Sequence, residues 1–547
     1  MGKKAGKKRS GKSKIKEEPN LKKNSITPKK KQIQKNKKIK RKSKSVKSAK
    51  DTSQQNSKNI EKTVVSNGEV ELDQAVEDVA RYRIVEAKPS EYEDKYYAVT
   101  LNYTNVQNNN NKFYIIQLLQ DIHTKKFGVL YRWGRIGFFG QVNYVIYQTF
   151  EEAREAFLIK LQGKFEYGYI KIKMQNKIKQ EKNNDELDKN DDGLEKPLAN
   201  LIRLIFDLKS MNQQIMKIGY DSDKIPLGQL SPEVISQGYK FLKNLENIIG
   251  NINDKKSINS KEIYDLSSKY FTIIPHNFGM NNMHKFVINS QERIKEENEL
   301  LDSIKNIKIV SGILQKANNN NKEKNEISLK EKLNEFKYDV TYVSKEENIY
   351  SIIDKYLSKS NEIKNSPKIK LIDLFSVKEK NSINITNNKN KKLLWYGIRI
   401  QNFANVFKSG LSLPPPEAPI YSYMFGKGIY FSDVAIKSFY NSHPQNNIGL
   451  MLLCEVDLGN IEERLKADVN LPNTLEQGKN SVKVLGMNFP DEKGSYFDEN
   501  GIEIPLGDIL INQDENKKTY FGFNEYIVYN LDQIKIKYIL KVQFDKS

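Results

Sequence analysis

The spacing of apolar residues changes twice along this chain, and this change limits the possible folds more than any other feature. Residues from about 80 to 180 contain β-rich stretches, residues from about 194 to 315 have helical spacing, and residues from about 335 to 547 return to strand-like patterns. Apolar residues repeat every 3.6 positions on a helix and every 2 on a strand, so the three segments cannot form one layer. The sequence therefore predicts a multidomain α+β protein.

The first segment is predicted to be a small β-rich module. The stretches FYIIQLL (113–119) and FGVLYRW (127–133) have the composition of strands. Thr149 and Glu152 form a capping box, which predicts that a helix follows. Together these signals indicate a sheet with one helix against it.

A single tryptophan stands at the centre of this module. It lies in YRWGRIGFFGQ (131–141), where Trp133 and Arg135 are surrounded by glycines. Such a tryptophan can stack on a base or sugar while the arginine binds phosphate. A core tryptophan beside solvated arginines explains the pattern equally well.

The middle segment is predicted to be an all-α bundle. One amphipathic stripe is formed by Leu198, Leu201, Ile202, Ile205 and Phe206. Ser231 and Pro232 are an N-cap and a first helical residue, opening a helix that continues through Ile249. A further helix is predicted over about 290–306. The segment contains no paired carboxylates or histidine clusters that would require catalysis, so packing or regulation is its expected role.

The last segment is predicted to be built on a mixed or antiparallel sheet. Helices are few, near 349–357 and 402–409. The strand candidates are KKLLWYGIRI (391–400), GKGIYFSD (426–433), GLMLLCEVDL (449–458), NEYIVYN (524–530) and YILKVQF (538–544).

The positive charge of the chain is concentrated at its start. Residues 1–50 hold 22 Lys or Arg against two acids, a net charge of +20, whereas the whole chain has a net charge of +22, which leaves about +2 for the remainder. This stretch has too few apolar residues to form a core, so residues 1 to about 75 are expected to be disordered. The runs at 28–31 and 37–44 can act as a nuclear address or attract phosphates; a solubilising tail without a partner is the alternative.

The cysteine and histidine content argues against metal and disulfide chemistry. The chain has one cysteine, Cys454, and four histidines. No internal disulfide and no zinc finger can be built from this set, so no metal is expected. No apolar stretch reaches the length of a membrane span. We therefore expect a protein without a membrane segment, located in the nucleus.

In this order, the three segments resemble the WGR domain, the helical regulatory domain and the ADP-ribosyltransferase catalytic domain of the poly(ADP-ribose) polymerases. The resemblance covers about 460 residues. It is carried by YRWGRIG (131–137), LEKPLANLIRLIFDL (194–208), PLGQLS (226–231), IPHNFGM (274–280), PPPEAPIYSYMFGKGIYFSD (414–433) and NEYIVYN (524–530). It divides the chain into a basic tail (1–78), a WGR domain (79–182), a regulatory domain (190–316) and a catalytic domain (333–547).

The resemblance implies an enzyme that transfers ADP-ribose from NAD+. By motif, the catalytic residues are Glu525, Tyr430 and Tyr396, and a glutamate at position 525 goes with polymer elongation in the family. The residues implied for NAD+ binding are Gly397, Arg399, Asn402, Tyr423, Ser438 and Tyr440. Lys427 and Lys437 are weaker candidates for steering the pyrophosphate or the acceptor.

The chain departs from the family pattern inside the catalytic motif. Tyr396 stands where the family has histidine, and Ile398 stands where it has serine. The second aromatic that stacks on nicotinamide aligns with Asn441, with Tyr440 one position earlier. A phenol can still donate a hydrogen bond to a ribose hydroxyl, but it is longer than imidazole. The alternative to an active enzyme is therefore a catalytically impaired member that acts as a DNA-end-binding or scaffold protein.

The resemblance also implies regulation by DNA. Trp133 and Arg135 are expected at nicks or ends, and the basic tail is expected to add phosphate contacts. Asp302 matches an acid on an inhibitory helix that faces the NAD+ site, and Asn306 replaces a family aspartate. The acceptors are expected to be proteins, including the chain itself. Docking of the WGR domain and the tail onto another polyanionic assembly is a further alternative.

Overall fold

The computed structural model describes residues 70–545 except for 173, 176–190, 218, 221–228, 251–259, 321–327, 365, 381–389, 421–422 and 515–516. The chain divides into two compact units, 1–61 and 62–547, and all described residues belong to the second. The predicted basic tail lies outside the described residues up to position 69. None of the helices that the structure describes is long and apolar enough to span a membrane.

The β-rich module is a six-stranded antiparallel sheet with one helix packed on it. Its elements are β1 (Tyr82–Ile84), β2 (Ala98–Asn105), β3 (Asn110–Asp121), β4 (Phe127–Arg135), β5 (Gln141–Tyr147), α1 (Phe150–Tyr167), β6 (Ile170–Lys171) and β7 (Met174–Gln175). The strand order is β5-β4-β3-β2-β6, with β1 beside β3 and β7 outside this sheet. The predicted cap is present, because the Glu152 N–H donates to Thr149 Oγ1 at 3.2 Å.

The folded chain already includes residues that the sequence assigns to the tail. Asp73 is buried, and its carboxylate lies 2.7 Å from Nε of Arg132, which is also buried. Arg132 in turn donates to the Phe139 carbonyl at 2.7 Å. The β-rich module therefore starts near residue 70, and its first residues hold the loop that follows Trp133.

The helical module consists of α2 (Lys196–Ile205), α3 (Leu208–Lys217), β8 (Gln229–Leu230), α4 (Pro232–Gly250), α5 (Ser260–Ile273) and α6 (Gln291–Asn320). As predicted, α4 begins at Pro232, and Val234 N–H donates to Ser231 Oγ at 3.4 Å. Helix α6 has 30 residues and extends well beyond the predicted end at 306. The module packs on both neighbours. One apolar cluster joins its buried Leu242 and Leu301 to Phe113 of the sheet.

The mixed-sheet module contains a seven-stranded and a four-stranded sheet. Its elements are α7 (Leu329–Asn334), β9 (Tyr338–Val343), α8 (Asn348–Lys359), β10 (Lys368–Glu379), β11 (Lys391–Gly397), α9 (Phe403–Ser409), β12 (Ile429–Phe431), α10 (Ala435–Ser442), β13 (Ile448–Asp457), β14 (Ile461–Arg464), α11 (Leu471–Thr474), β15 (Ser481–Val484), β16 (Asn488–Pro490), β17 (Tyr496–Phe497), β18 (Glu503–Ile504), β19 (Ile509–Ile511), β20 (Glu525–Val528) and β21 (Ile534–Asp545).

Strands β16 and β19 pair separately, and the two main sheets of this module meet beside β11 and β12. The larger has the order β17-β18-β11-β13-β21-β10-β9 and the smaller β12-β20-β15-β14. The main chains of Trp395 and Ser432 exchange hydrogen bonds of 2.8 and 3.0 Å. This junction places the ends of β11, β12 and β20 around one cleft. The fold class predicted from the sequence is confirmed.

Candidate active site and nucleic-acid face

A cleft of about 420 Å³ lies where the two sheets of the mixed-sheet module meet, and helix α6 forms its opposite wall. The predicted site residues that line it are Glu525, Tyr430, Tyr396, Gly397, Asn402, Tyr423, Lys437 and Asp302. Residues up to 223 positions apart in the sequence are thus brought to one cavity.

Glu525 is the first residue of β20 and reaches the cleft with a side chain that is 15% exposed. Its carboxylate lies 2.8 Å from Nζ of Lys437 on α10. The ammonium group fixes the direction of the carboxylate and balances its charge. Lys437 therefore acts on Glu525 in this arrangement, and not on a distant part of a ligand.

Tyr430 is held by the main chain of the preceding turn. Its hydroxyl donates to the Gly426 carbonyl at 2.7 Å and accepts from the Phe425 N–H at 3.0 Å. With the hydroxyl engaged, the ring is presented to the cleft, 6.2 Å from the ring of Tyr423. Burial raises the pKa of both hydroxyls, so they stay protonated and the two rings form an uncharged aromatic wall.

Tyr396 projects from the end of β11 into the same cleft. Its ring packs 5.6 Å from that of Phe431, and its hydroxyl has no hydrogen-bond partner among the described residues. Burial raises the pKa of this hydroxyl to about 12. The phenol is therefore a neutral donor at physiological pH. Ile398 also lines the cleft, but its side chain belongs to the apolar core.

Gly397 is required by packing as well as by its place in the cleft. A Cβ atom on Gly397 would lie 1.7 Å from the main-chain oxygen of Ser438. Helix α10 thus rests directly on the β11 backbone. Ser438 itself is buried at this contact and is not part of the cleft wall.

Two further residues predicted to bind NAD+ lie elsewhere. Tyr440 is 53% exposed and outside the cleft, where the next residue, Asn441, forms the wall. Arg399 points to the helical module and forms a 2.6 Å ion pair with Glu299. Tyr440 is directed away from the cleft by its position on the turn of α10. Arg399 is directed away from it by the ion pair with Glu299, which lies a hundred residues earlier in the sequence.

Lys427, a weaker candidate from the sequence, is not available to a ligand in this arrangement. Its ammonium donates to the carbonyls of Pro415, Pro416 and Ala418 at 2.8, 2.9 and 2.7 Å. All its donors therefore serve the loop at 414–418, which is one border of the cleft.

Helix α6 supplies the polar groups of the opposite wall. Asp302 accepts from the Tyr239 hydroxyl at 2.5 Å, and burial raises the pKa of its carboxyl to about 6. One turn later, Asn306 donates to Asn402 Oδ1 at 2.5 Å. The regulatory candidate Asp302 therefore does face the cleft.

Trp133 and Arg135 lie on β4 of the β-rich module, at its contact with the helical module. Trp133 is half-buried and stacks on Tyr114, with centroids 5.6 Å apart and an interplanar angle of 14°. Arg135 donates from Nε to the Gly279 carbonyl at 2.6 Å and from Nη1 to the Asn109 carbonyl at 3.0 Å. The arginine thus joins the two modules.

Three lysines beside this tryptophan were missed by the sequence reasoning. Lys164 lies 3.9 Å from the centroid of Tyr114, and burial together with the charges of Lys160 and Lys112 lowers its pKa. No acid forms an ion pair with any of the three among the described residues. Lys112 on β3 is 48 and 52 positions away from Lys160 and Lys164, which lie four positions apart on α1. Only the spacing of the two helical lysines could have indicated the cluster.

No group of His, Cys, Asp and Glu suited to a metal ion exists in the part of the chain that the structure describes. The lining of the cleft instead combines aromatic rings with a few amide, carboxylate and hydroxyl groups. Such a mixture suits a nucleotide with an aromatic base and ribose hydroxyls.

Comparisons with known proteins agree with this arrangement. Family models match residues 346–544 as poly(ADP-ribose) polymerase catalytic domain, residues 193–341 as poly(ADP-ribose) polymerase regulatory domain and residues 97–176 as WGR domain. Poly [ADP-ribose] polymerase 2-A of Oryza sativa subsp. japonica is 31% identical over 516 residues, covering 88% of this chain and 76% of the relative. Poly [ADP-ribose] polymerase 2 of Homo sapiens is 33% identical over 478 residues, covering 82% and 80%.

Fold, cleft and matches together define an NAD-dependent ADP-ribosyltransferase. More narrowly, the chain belongs to the poly(ADP-ribose) polymerase family. The resemblance drawn from the sequence is confirmed.

Proposed function

We propose that this chain transfers ADP-ribose from NAD+ to proteins, itself included, extends it into polymer, and does so in response to DNA breaks in the nucleus. The observation that carries the proposal is the convergence of Glu525, Tyr430 and Tyr396 on one cleft beneath helix α6. The three residues come from different strands, and only the folded mixed-sheet module unites them.

The reaction sets the demands on this cleft. The bond between the nicotinamide nitrogen and the ribose anomeric carbon breaks, and its electron pair leaves with nicotinamide. The acceptor atom bonds to that carbon and loses its proton. Positive charge develops on the ribose in the transition state, so a fixed carboxylate that accepts from a ribose hydroxyl lowers the barrier. Glu525, oriented by Lys437 at 2.8 Å, is assigned this task.

The remaining walls of the cleft are assigned to binding. The rings of Tyr430 and Tyr423, which line the cleft, are assigned to stacking on nicotinamide, and the main chain of Gly397 is assigned to hydrogen bonds with its carboxamide. The Asn402 amide faces the rest of the nucleotide. These groups would hold the ribose where its anomeric carbon can be attacked, and such positioning can lower the barrier by several kcal/mol, about 7–11 kcal/mol in well-oriented cases.

Tyr396 is assigned the orienting role of the family's histidine. Its hydroxyl is neutral, faces the cleft and has no hydrogen-bond partner among the described residues. A neutral phenol can donate to a ribose hydroxyl as an imidazole does. The task is orientation and not proton transfer, so the ordinary acidity of histidine is not needed.

The experiment combines purified full-length chain, labelled NAD+ and nicked duplex DNA. Wild-type protein is expected to incorporate label only when DNA is present, and Glu525→Gln to lose about a hundredfold or more. Glu463→Gln changes an exposed carboxylate (50% exposed) and is the matched control. Absence of label at high protein concentration would overturn the proposal.

A second candidate is a DNA-end-binding scaffold that does not turn over NAD+. It is favoured by the apolar Ile398 and the longer side chain of Tyr396 in the cleft. Tyr396→His separates the two: a large gain of label over an inactive wild type supports the scaffold, whereas loss of label from an active wild type supports the phenol as a working part.

DNA recognition is assigned to the face around Trp133. Trp133 is half-buried against Tyr114, so part of its ring is left for a terminal nucleotide sugar. The lysines at 112, 160 and 164 offer positive charge to phosphates. Trp133→Ala should weaken binding to nicked duplex about tenfold at fixed salt. Unchanged affinity would instead favour docking onto another polyanion.

The basic tail, outside the described residues, is assigned sequence-independent attraction to DNA.

A further inference from the structure

We propose that Asp433 is a positioning residue that fixes the face of strand β20 on which Glu525 is presented. The inference rests on the proposed role of Glu525. Asp433 is 3% exposed and lies on the side of β20 away from the cleft wall. It follows β12, the strand that carries Tyr430, by two residues.

One carboxylate oxygen of Asp433 holds both neighbours of Glu525. Oδ2 accepts from Nδ2 of Asn524 at 2.8 Å and from the Tyr526 hydroxyl at 3.1 Å. Successive side chains of a strand point to opposite faces. Because residues 524 and 526 are drawn toward Asp433, residue 525 must point the other way, into the cleft.

The residue before Glu525 is tied at two more points. Ser432 Oγ donates to the Asn524 carbonyl at 2.9 Å, and Asn524 Oδ1 accepts from the Gly486 N–H at 2.8 Å. A slip of one residue in strand register would exchange the two faces. The three hydrogen bonds at Asn524 oppose such a slip at the start of β20. There Glu525 is paired with β15, and the pairing with β12 starts only at the next residue.

The arrangement is unfavourable for an acid that serves packing alone. The second oxygen, Oδ1, is buried and has no hydrogen-bond partner among the described residues. Burial raises the pKa of this carboxyl to about 6, partly offset by Asn524, Lys483, Tyr526 and Lys392. A buried carboxylate with an unsatisfied oxygen destabilises a fold. The presence of such a carboxylate beside the strand of Glu525 is explained if it orients that strand.

Asp457 provides a matched control. It is also 3% exposed, also has one oxygen without a hydrogen-bond partner among the described residues, and ends β13 outside the cleft wall. Its carboxylate accepts from the Gly459 N–H at 3.2 Å. Replacing it perturbs a buried acid of the same module without touching β20.

The test measures NAD+ turnover in full-length chain with nicked DNA. Asp433→Ala should lower kcat about thirtyfold or more with the KM for NAD+ within about threefold, because orientation of the carboxylate matters mainly in the transition state. Asp433→Asn keeps an oxygen that can accept both bonds and should recover most of the loss. Tyr526→Phe removes one bond and should lose about threefold in kcat, and the control Asp457→Ala should lose less than about twofold.

Equal losses in the Asp433→Ala and Asp457→Ala variants, or losses that follow only the folded fraction in thermal melts, would overturn the inference. A crystal structure of the Asp433→Ala variant tests it without turnover. Glu525 should there lose its 2.8 Å contact with Lys437. Retention of that contact counts against Asp433 even if the wild-type chain proves inactive, whereas an inactive wild type by itself overturns only the proposed function.

Discussion

The helical module meets its two neighbours through interfaces of different construction. Toward the β-rich module, side chains bond to main-chain carbonyls: Asn102 to Thr272 at 2.7 Å, Asn111 to His276 at 2.8 Å and Arg135 to Gly279 at 2.6 Å. Over the cleft, helix α6 bonds side chain to side chain, in the Glu299–Arg399 and Asn306–Asn402 pairs. Main-chain groups are bonded there only by its neighbour α4 among the contacts described, from Lys243 to the Pro416 carbonyl at 3.0 Å and from the Ile420 N–H to Glu246 at 2.7 Å.

The difference concerns what must move for each interface to open. A carbonyl of an ordered segment cannot turn away, whereas two side chains separate by changing rotamer. The segment that precedes α6 is therefore fixed firmly to the β-rich module, and Glu297 joins α6 to it through Tyr270 and His276, whereas α6 is held loosely over the cleft. We infer that a signal from DNA enters through the first interface and acts by releasing the second.

The strongest test breaks the firm end. Glu297 is fully buried on α6 and lies 3.0 Å from both Tyr270 Oη and His276 Nε2, with Arg293 at 3.3 Å. Glu297→Ala leaves these groups without a partner and should lower the free energy of unfolding by about 3–5 kcal/mol, measured by denaturant titration. Glu296→Ala removes an exposed partner of Arg293 and should cost less than about 1 kcal/mol. Equal losses would remove the distinction between the ends.

The second test breaks the loose end. Glu299→Gln removes the ion pair with Arg399, whose side chains are 25% and 22% exposed. The DNA-independent rate of ADP-ribosyl transfer should rise about fivefold, while the melting temperature changes little because such pairs contribute about 1 kcal/mol or less. The DNA-stimulated rate should stay unchanged. A fall in melting temperature as large as that of Glu297→Ala would contradict the comparison.

The third test uses pH. In the closed arrangement burial raises the pKa of Asp302 to about 6 from 3.8; the charge of Glu299 adds to this rise, and Tyr239, Lys305 and Arg399 oppose it. Release to solvent returns the pKa toward its ordinary value, so the closed arrangement binds the proton more tightly and is favoured as pH falls below 6. The DNA-independent rate should rise about threefold between pH 5 and 7. Asp302→Asn should abolish that slope; a slope that persists would exclude Asp302 as its source.

The smallest effect is expected at the nucleic-acid face behind the firm interface. Lys164→Gln should weaken binding to nicked duplex severalfold and reduce the slope of log Kd against log salt by about 1. Lys126→Gln, at an exposed position in the turn between β3 and β4, is the control. Identical salt slopes for wild type and the Lys164 variant would place the phosphates elsewhere.

Helices and strands were predicted well from local signals in the sequence, whereas contacts between distant residues were predicted poorly. The Thr149 cap, the start of α4 at Pro232 and strands β11, β13, β20 and β21 follow from patterns within a few residues. Several residues chosen by motif, among them Glu525, Tyr430 and Tyr396, line one cleft, and their roles stay predictions. Arg399 lies outside the cleft wall because it pairs with Glu299 on another module, and Tyr440 lies outside it because one residue in a helix turns a side chain by about 100°. The lysine cluster and the role of Asp433 were not predicted, because both depend on contacts between separate elements of the fold.

The length of helix α6 adds a mechanical aspect. Its 30 residues form a continuous rod of about 45 Å. Glu297 and Asn306 lie nine residues apart on it, a lever arm of about 13 Å. A tilt of about 10° around the firm end would displace the far point by about 2 Å, enough to break a hydrogen bond while every bond inside the helix survives. The rod can thus uncover the cleft without melting.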